Sequence, residues 1–452
     1  MPVNTPTLIG VPEPYNDSSA NNSESYGVNP QPRGPRLFEA NDAYYAIFWI
    51  YNYVPATARY EIRFSKSVDL GVTWTEVDTA NSPILTFYSF GGYNTVRLVG
   101  TKVYVAQDYI TLSGVNYTSE VRIYSFELTT ELWDTSFITG PSQTVTPTKT
   151  HTFIDFCLRG TNEFLLLHHV DGSIPQTDEL DIYNLTSSTW TTTGLKVFDT
   201  STANAPADSI IWDGTYAHIF ASAYRLNLID FEIAYVTLSS TNTFGIQQNL
   251  YNTWLPAWIN PAPFGPNHYL DLGYQFVIFG PKIYMVWTVK VTSPSDPANR
   301  QIICLTANKG EANPTWTAEE VYLPLATNSE YALQPILFVA HNIITIAYTY
   351  TTDYDSLYIK FTKRVLGVWT PHLTFYSYYA DPPVYAGLKF PVGSLLNIRD
   401  FTALSDVGGP SHFGLMATLN YDYHIAVWFL IETPCDCTDA IAAATGQSNF
   451  MY

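Results

Sequence analysis

One pattern returns along this chain about every sixty residues, and few folds can accommodate it. An apolar run, a one- or two-residue turn and a second apolar run occur seven times. The turns are marked by Asn41, Gly100, Gly160, Gly214, Gly280, His341 and Gly409, at spacings of 59, 60, 54, 66, 61 and 68 residues. The first copy reads Leu37-Phe38-Glu39-Ala40-Asn41-Asp42-Ala43-Tyr44-Tyr45, and the second Val96-Arg97-Leu98-Val99-Gly100-Thr101-Lys102-Val103. Gly and Asn reach the positive φ that tight hairpins require. A second landmark keeps the same period: Trp74, Trp133, Trp190, Trp316 and Trp369 each follow a third-strand pattern, with Phe244 in the remaining slot. One four-stranded unit of this kind would leave a wide apolar face in water, and radial stacking of units covers it. The pattern predicts an all-β chain forming a single β-propeller of seven four-stranded blades.

The ends of the chain complete that expectation. The last repeat has a third strand around Tyr423–Ile431 but no clear fourth, and Thr7-Leu8-Ile9-Gly10-Val11 can supply it. Pairing of the N- and C-terminal strands would close the ring and remove an exposed sheet edge. The predicted division is therefore 1–35 as closing strand and irregular arm, 36–432 as propeller, and 433–452 as a C-terminal tail. The arm is rich in Pro, Asn, Ser and Gly, and neither terminal segment carries enough apolar residues for a core of its own. One or both are expected to lie against another protein subunit of an assembly.

Composition narrows the partners. With 34 Tyr and only 4 Met, and 46% hydrophobic residues, the chain favours strands over helices. A net charge of -19 without a basic stripe argues against duplex nucleic acid and anionic membrane surfaces, which need clustered Lys and Arg. No run of eighteen apolar residues predicts membrane insertion. The start, Met1-Pro2-Val3-Asn4-Thr5-Pro6, has neither a basic nor an apolar leader region, so synthesis in a cytoplasm without a signal peptide is expected. Cys157 and Cys304 sit in apolar runs, and Cys435-Asp436-Cys437 has the wrong spacing for a zinc site. His168 and His169 would face opposite sides of a strand. No metal and no cofactor are expected.

The octapeptide Ser67-Val68-Asp69-Leu70-Gly71-Val72-Thr73-Trp74 has the chemistry of a tight turn. An Asp carboxylate accepts from turn amides, Gly frees the backbone, and Thr-Trp begins the next strand. It resembles the Asp-box of sialidases and related BNR-repeat propellers, with Ser67, Asp69, Gly71, Thr73 and Trp74 at the defined positions. In that family the box lies on the rim, so the resemblance implies a propeller and a structural role for these five residues. It also implies a chemistry to test: three Arg that hold a substrate carboxylate, a Tyr–Glu nucleophile and an Asp acid/base. Arg36, Arg97 and Arg159 stand on successive innermost strands, five, three and one residues before their turn markers, so they are expected at different depths. The family's Arg-Ile-Pro is replaced by Arg36-Leu37-Phe38. Glu39, Asp155, Asp208 and Asp213 are candidate central carboxylates. A sialidase-like exo-glycoside hydrolase is the alternative reading.

The leading reading is a recognition module without chemistry. Tyr88, Tyr93, Trp254, Trp258, Tyr378 and Tyr379 fall in aromatic-rich connections that precede inner strands. Such rings suit sugars or a protein partner. The expected function is a non-catalytic propeller, a structural and recognition module in a larger assembly that binds protein or cell-surface glycan. The absence of a leader and the Tyr/Thr/Asn-rich, Lys-poor strands also resemble virion proteins of tailed phages, which implies action in a virion, as a tail or capsid-associated protein.

Overall fold

The computed structural model describes residues 7–9, 36–52, 59–69, 73–86, 94–113, 116–145, 153–170, 177–197, 207–224, 231–250, 269–270, 275–290, 300–322, 331–340, 343–351, 357–378, 402–406, 413–421 and 424–432. These form one all-β propeller in which each sequence repeat is an up-and-down antiparallel unit. The third unit shows the pattern cleanly, with Phe153–Arg159 innermost, then Glu163–Val170, Thr177–Asn184 and Thr189–Lys196 outermost. The second runs Asn94–Val99, Lys102–Ser113, Asn116–Glu127 and Leu132–Trp133, with Ile138–Val145 continuing the outer edge.

The described residues form six blades, not the seven expected. The innermost strand of the first unit, Leu37–Ala40, pairs in parallel with Thr402–Asp406 through Leu37↔Leu404, Phe38↔Ser405 and Glu39↔Asp406. The first and last repeats are thereby joined into one nine-stranded sheet. Turn spacing counts hairpins. It carries no information on whether two neighbouring inner strands meet through side chains or through backbone hydrogen bonds, and here they meet through backbone. That sheet also contains the terminal closure, with Thr7–Ile9 antiparallel to His424–Glu432.

The hairpin markers behave as their chemistry requires. Asn41, Gly100, Gly160, Gly214 and Gly280 have φ of 51°, 60°, 62°, 103° and 58°. At Gly100 and Gly160 an added Cβ would meet nothing within 4 Å, so backbone conformation and not space demands glycine there. His341 and Gly409 lie outside the described residues.

Four of the five periodic tryptophans, Trp133, Trp190, Trp316 and Trp369, prove to be wedges between units. Trp133, on the outer strand of the second unit, packs 5.3 Å from both Phe64 of the first and Phe126 of its own, two rings stacked at 4.0 Å. Trp316 of the fifth unit packs edge-on to Phe220 and Tyr235 of the fourth. Trp190 of the third donates its indole N–H to Thr139 O of the second at 2.9 Å, and Trp369 of the sixth donates to Glu319 of the fifth at 3.0 Å. Phe244 of the fourth joins the apolar cluster it shares with the third. A large amphipathic ring buries much area and keeps one polar handle to satisfy, which suits a recurring interface.

Candidate functional site

The inner strands hold the groups that could perform chemistry, and their geometry turns on Asp155. A register shift between Phe153 and Asp155 interrupts pairing with the next strand and turns the Asp155 carboxylate toward the neighbouring blades. It is fully buried. Its Oδ1 accepts from Thr95 Oγ1 at 2.8 Å, Arg97 Nη2 at 2.9 Å and its neighbour's Phe156 N–H at 2.8 Å. Its Oδ2 accepts from Ser209 Oγ at 2.8 Å and Ile210 N–H at 2.9 Å. Five donors from three units converge on a group with about four lone-pair sites. No lone pair is left to aim at a substrate proton.

Arg97 joins it and Arg159 does not. Arg97 rests over the Phe156 ring at 5.7 Å and is spent on Asp155. Arg159 donates Nε–H to Glu163 at 2.8 Å and Nη1–H to Asn242 at 2.6 Å, which ties the third unit to the fourth. Arg36 is buried, with its carbonyl accepting from Ile47 N–H at 2.9 Å. The Arg97 and Arg159 guanidinium groups thus occupy two separate settings and share no carboxylate. Glu39 is half-buried on the first inner strand, and the Asp208 side chain lies outside the described residues.

Asp213 is a turn residue. Its carboxylate accepts from Thr215 and Tyr216 N–H, both at 2.7 Å, from Gly310 N–H of the fifth unit at 2.5 Å, and from His218 Nε2 at 2.9 Å. Burial alone would raise its pKa. The His218 bond and the three backbone donors outweigh that and hold the carboxyl well below the usual range. His218 Nδ1 lies 2.6 Å from the Tyr235 hydroxyl. Burial, and then the Asp213 charge, push that hydroxyl far up. This carboxylate–imidazole–phenol chain has a catalytic composition, but Tyr235 is fully buried against Trp316, so it joins blades. Sequence reading placed Asp213 among the central carboxylates. The Asp-Gly-Thr-Tyr turn was the available sign of its actual role.

Asp69 accepts hydrogen bonds from its own segment. Its Oδ1 accepts from Ser67 Oγ and Thr73 N–H, both at 2.8 Å, and its Oδ2 from Thr73 Oγ1 at 2.5 Å. Trp74 is half-buried beside the outer strand Thr75–Val77, and Gly71 lies outside the described residues. So do Tyr88, Tyr93, Trp254, Trp258 and Tyr379. Tyr378 ends the strand Leu373–Tyr378, paired with Leu357. Among the described residues no three His, Cys, Asp or Glu side chains gather as a metal site, and no helix is long and apolar enough to cross a membrane.

No protein-family model matches the chain, and no curated protein sequence does. Solved structures do. An ulvan lyase of a new polysaccharide lyase family superposes with a TM-score of 0.53 at 10% identity, over 92% of this chain and 97% of that one. An α-L-arabinofuranosidase from Fusarium graminearum gives 0.39 at 11% identity, over 92% and 98%. The phage phi92 endosialidase gives 0.38 at 11%, over 95% and 69%. The first of these supports the propeller fold, and identities this low carry the fold alone.

Proposed function

We propose that this protein is a non-catalytic propeller, a recognition module for glycan that works inside a larger assembly. The observation that carries the reading is Asp155, the best-placed central carboxylate, whose oxygens are already taken up by five donors from three blades. A general acid or base must hold or accept a proton at the reacting atom, and a carboxylate committed to blade junctions is poorly suited to that. The arginine pattern supports the same side, because a carboxylate-binding site needs guanidinium forks that converge. The aromatic-rich connections that lead into inner strands supply the rings that sugar recognition uses. The terminal segments are proposed to dock on other subunits, with a phage particle as the setting that the chain's composition favours.

The test uses the full-length protein, following product release from a fluorogenic sialoside and binding to a panel of neutral and acidic oligosaccharides. Binding without turnover is expected. Turnover that disappears in Arg97→Ala would move the protein to the hydrolases. For the assembly, a chain lacking 12–35 and 433–452 is expected to stay folded and fail to incorporate into its particle. Normal incorporation would remove that part of the reading.

A further inference from the structure

Away from the centre, the second unit carries a side-chain arrangement that the blade junction does not use. Its second and third strands, Lys102–Ser113 and Asn116–Glu127, are twelve residues each, the longest among the described residues. Their register pairs Gln107 with Arg122 and Tyr109 with Glu120, while the outer strand sets Thr139 opposite Arg122. Directly paired residues share a face, so Tyr109, Glu120 and Arg122 lie together on the side turned toward the first unit. Phe137 joins them from two residues before Thr139. The Arg122 guanidinium carbon lies 3.3 Å from the Tyr109 ring centroid and 4.3 Å from that of Phe137. Its Nε–H donates to Glu120 Oε1 at 2.7 Å.

The junction between these two units is made nearer the hairpins by Phe64, Phe126 and Trp133. The Arg122 cluster stands at its outer rim and keeps contact with water. Phe137 is 41% exposed, and the Glu120 and Arg122 side chains are 25% and 20% exposed. Three properties meet here. A phenyl ring is partly exposed to solvent beside the Tyr124 ring 5.6 Å away, a guanidinium is held by two rings and a carboxylate, and that carboxylate sits beside it as an acceptor. A pyranose ring offers the complement, with an apolar C–H face for stacking and neighbouring hydroxyls that both donate and accept.

The sixth unit supplies an internal comparison. There Lys360 pairs directly with Tyr348 and Thr374, as Arg122 pairs with Gln107 and Thr139, and its ammonium lies 3.4 Å from the Tyr350 centroid. The cation and the tyrosine two residues beyond its partner therefore recur at one register position. At the place of Glu120 the sixth unit has Tyr358. The cation–tyrosine contact belongs to the blade design, and the acid with the exposed Phe137 is what the second unit adds.

We infer that the Phe137–Arg122–Glu120 cluster of the second unit binds a sugar ring of a neutral polysaccharide, stacked on Phe137 with its hydroxyls bridging Arg122 and Glu120. This rests on the glycan part of the proposed function and gives it a place outside the propeller centre. A neutral ligand follows from Glu120 itself and from a net charge of -19, both of which repel acidic sugars.

The experiment places full-length protein on immobilised neutral hexasaccharides of gluco, manno and galacto configuration, beside sialylated and sulfated oligosaccharides. Wild type is expected to hold a neutral hexasaccharide. Phe137→Ala and Glu120→Gln are expected to weaken it about tenfold or more, the scale of one lost ring contact or charge-assisted bond. Lys360→Ala should bind like wild type. Circular dichroism checks folding, and should Phe137→Ala unfold, the near-isosteric Glu120→Gln decides. Neutral binding unchanged in both cluster variants, or lost equally in Lys360→Ala, overturns the inference and leaves the glycan reading standing, as does binding of acidic sugars alone. Binding of no sugar by wild type overturns both.

Discussion

Asp155→Ala removes the acceptor of five hydrogen bonds at once, and the structure allows the loss to be apportioned. The Thr95 and Ser209 hydroxyls can rotate to other acceptors, and Arg97, with a side chain 22% exposed, can turn toward water. The Phe156 and Ile210 N–H groups cannot move, and each orphaned buried donor costs about 1–3 kcal/mol. With the broken ion pair included, a loss of about 3–5 kcal/mol is expected, the usual size when one partner of a buried pair is removed. Asp155→Asn keeps an acceptor for Thr95 and Phe156 but can set its amide N–H₂ against the Ile210 N–H. About 2 kcal/mol is expected there. Urea unfolding followed by tryptophan fluorescence and far-ultraviolet circular dichroism measures both, with coincidence of the two probes as the check that one transition is being read. A loss below about 1 kcal/mol in Asp155→Ala would refute the view of Asp155 as the joint of three blades. So would an Asn variant that keeps full stability while abolishing an activity, which is the signature of a catalytic acid.

Asp69→Ala loses the turn acceptor for Ser67 and Thr73, and a drop of about 1 kcal/mol is expected, as for a lost cap; an unchanged melting temperature counts against it. Asp213 has its folded pKa depressed below its ordinary 3.8. Its contribution is therefore fully present above that value and is lost as pH falls from about 4 toward the lower folded value. Asp213→Asn should be less stable than wild type at pH 7, and the gap should narrow on acidification through that window. Parallel stability curves for the two proteins would show that the carboxylate is not held as described.

How much of this was legible in the sequence depends on distance along the chain. Turn markers are local, so Asn41, Gly100, Gly160, Gly214 and Gly280 could be read one at a time, and each adopts the positive φ its hairpin needs. The tryptophan period was legible as a period, and its meaning as a wedge into the preceding unit was not, because the receiving residues Phe64, Phe220 and Glu319 belong to a different repeat. Asp155 was visible as a candidate carboxylate. Its five donors come from residues 54–60 positions away on either side as well as from its own neighbour, a constellation no short motif encodes. The blade number failed for the same reason. Leu37 and Leu404 pair across nearly the whole chain, and nothing near either one announces the other. The Arg122 cluster had a faint local sign, since Glu120 and Arg122 alternate on one strand face.

The direction of the tryptophan wedges sets an order for synthesis. In the junctions that they fill, the indole is carried by the later unit and received by the earlier one, so a chain emerging from the ribosome can seat each new unit on a finished neighbour. The nine-stranded sheet is the exception, because Leu37–Ala40 must wait for Thr402–Asp406. At about 5–20 residues per second that wait lasts roughly 20–70 s. During it the first inner strand is a bare edge open to pairing with another nascent chain. Its shortness, four residues, and the charge of Glu39 within it are the features that discourage such pairing until the proper partner arrives.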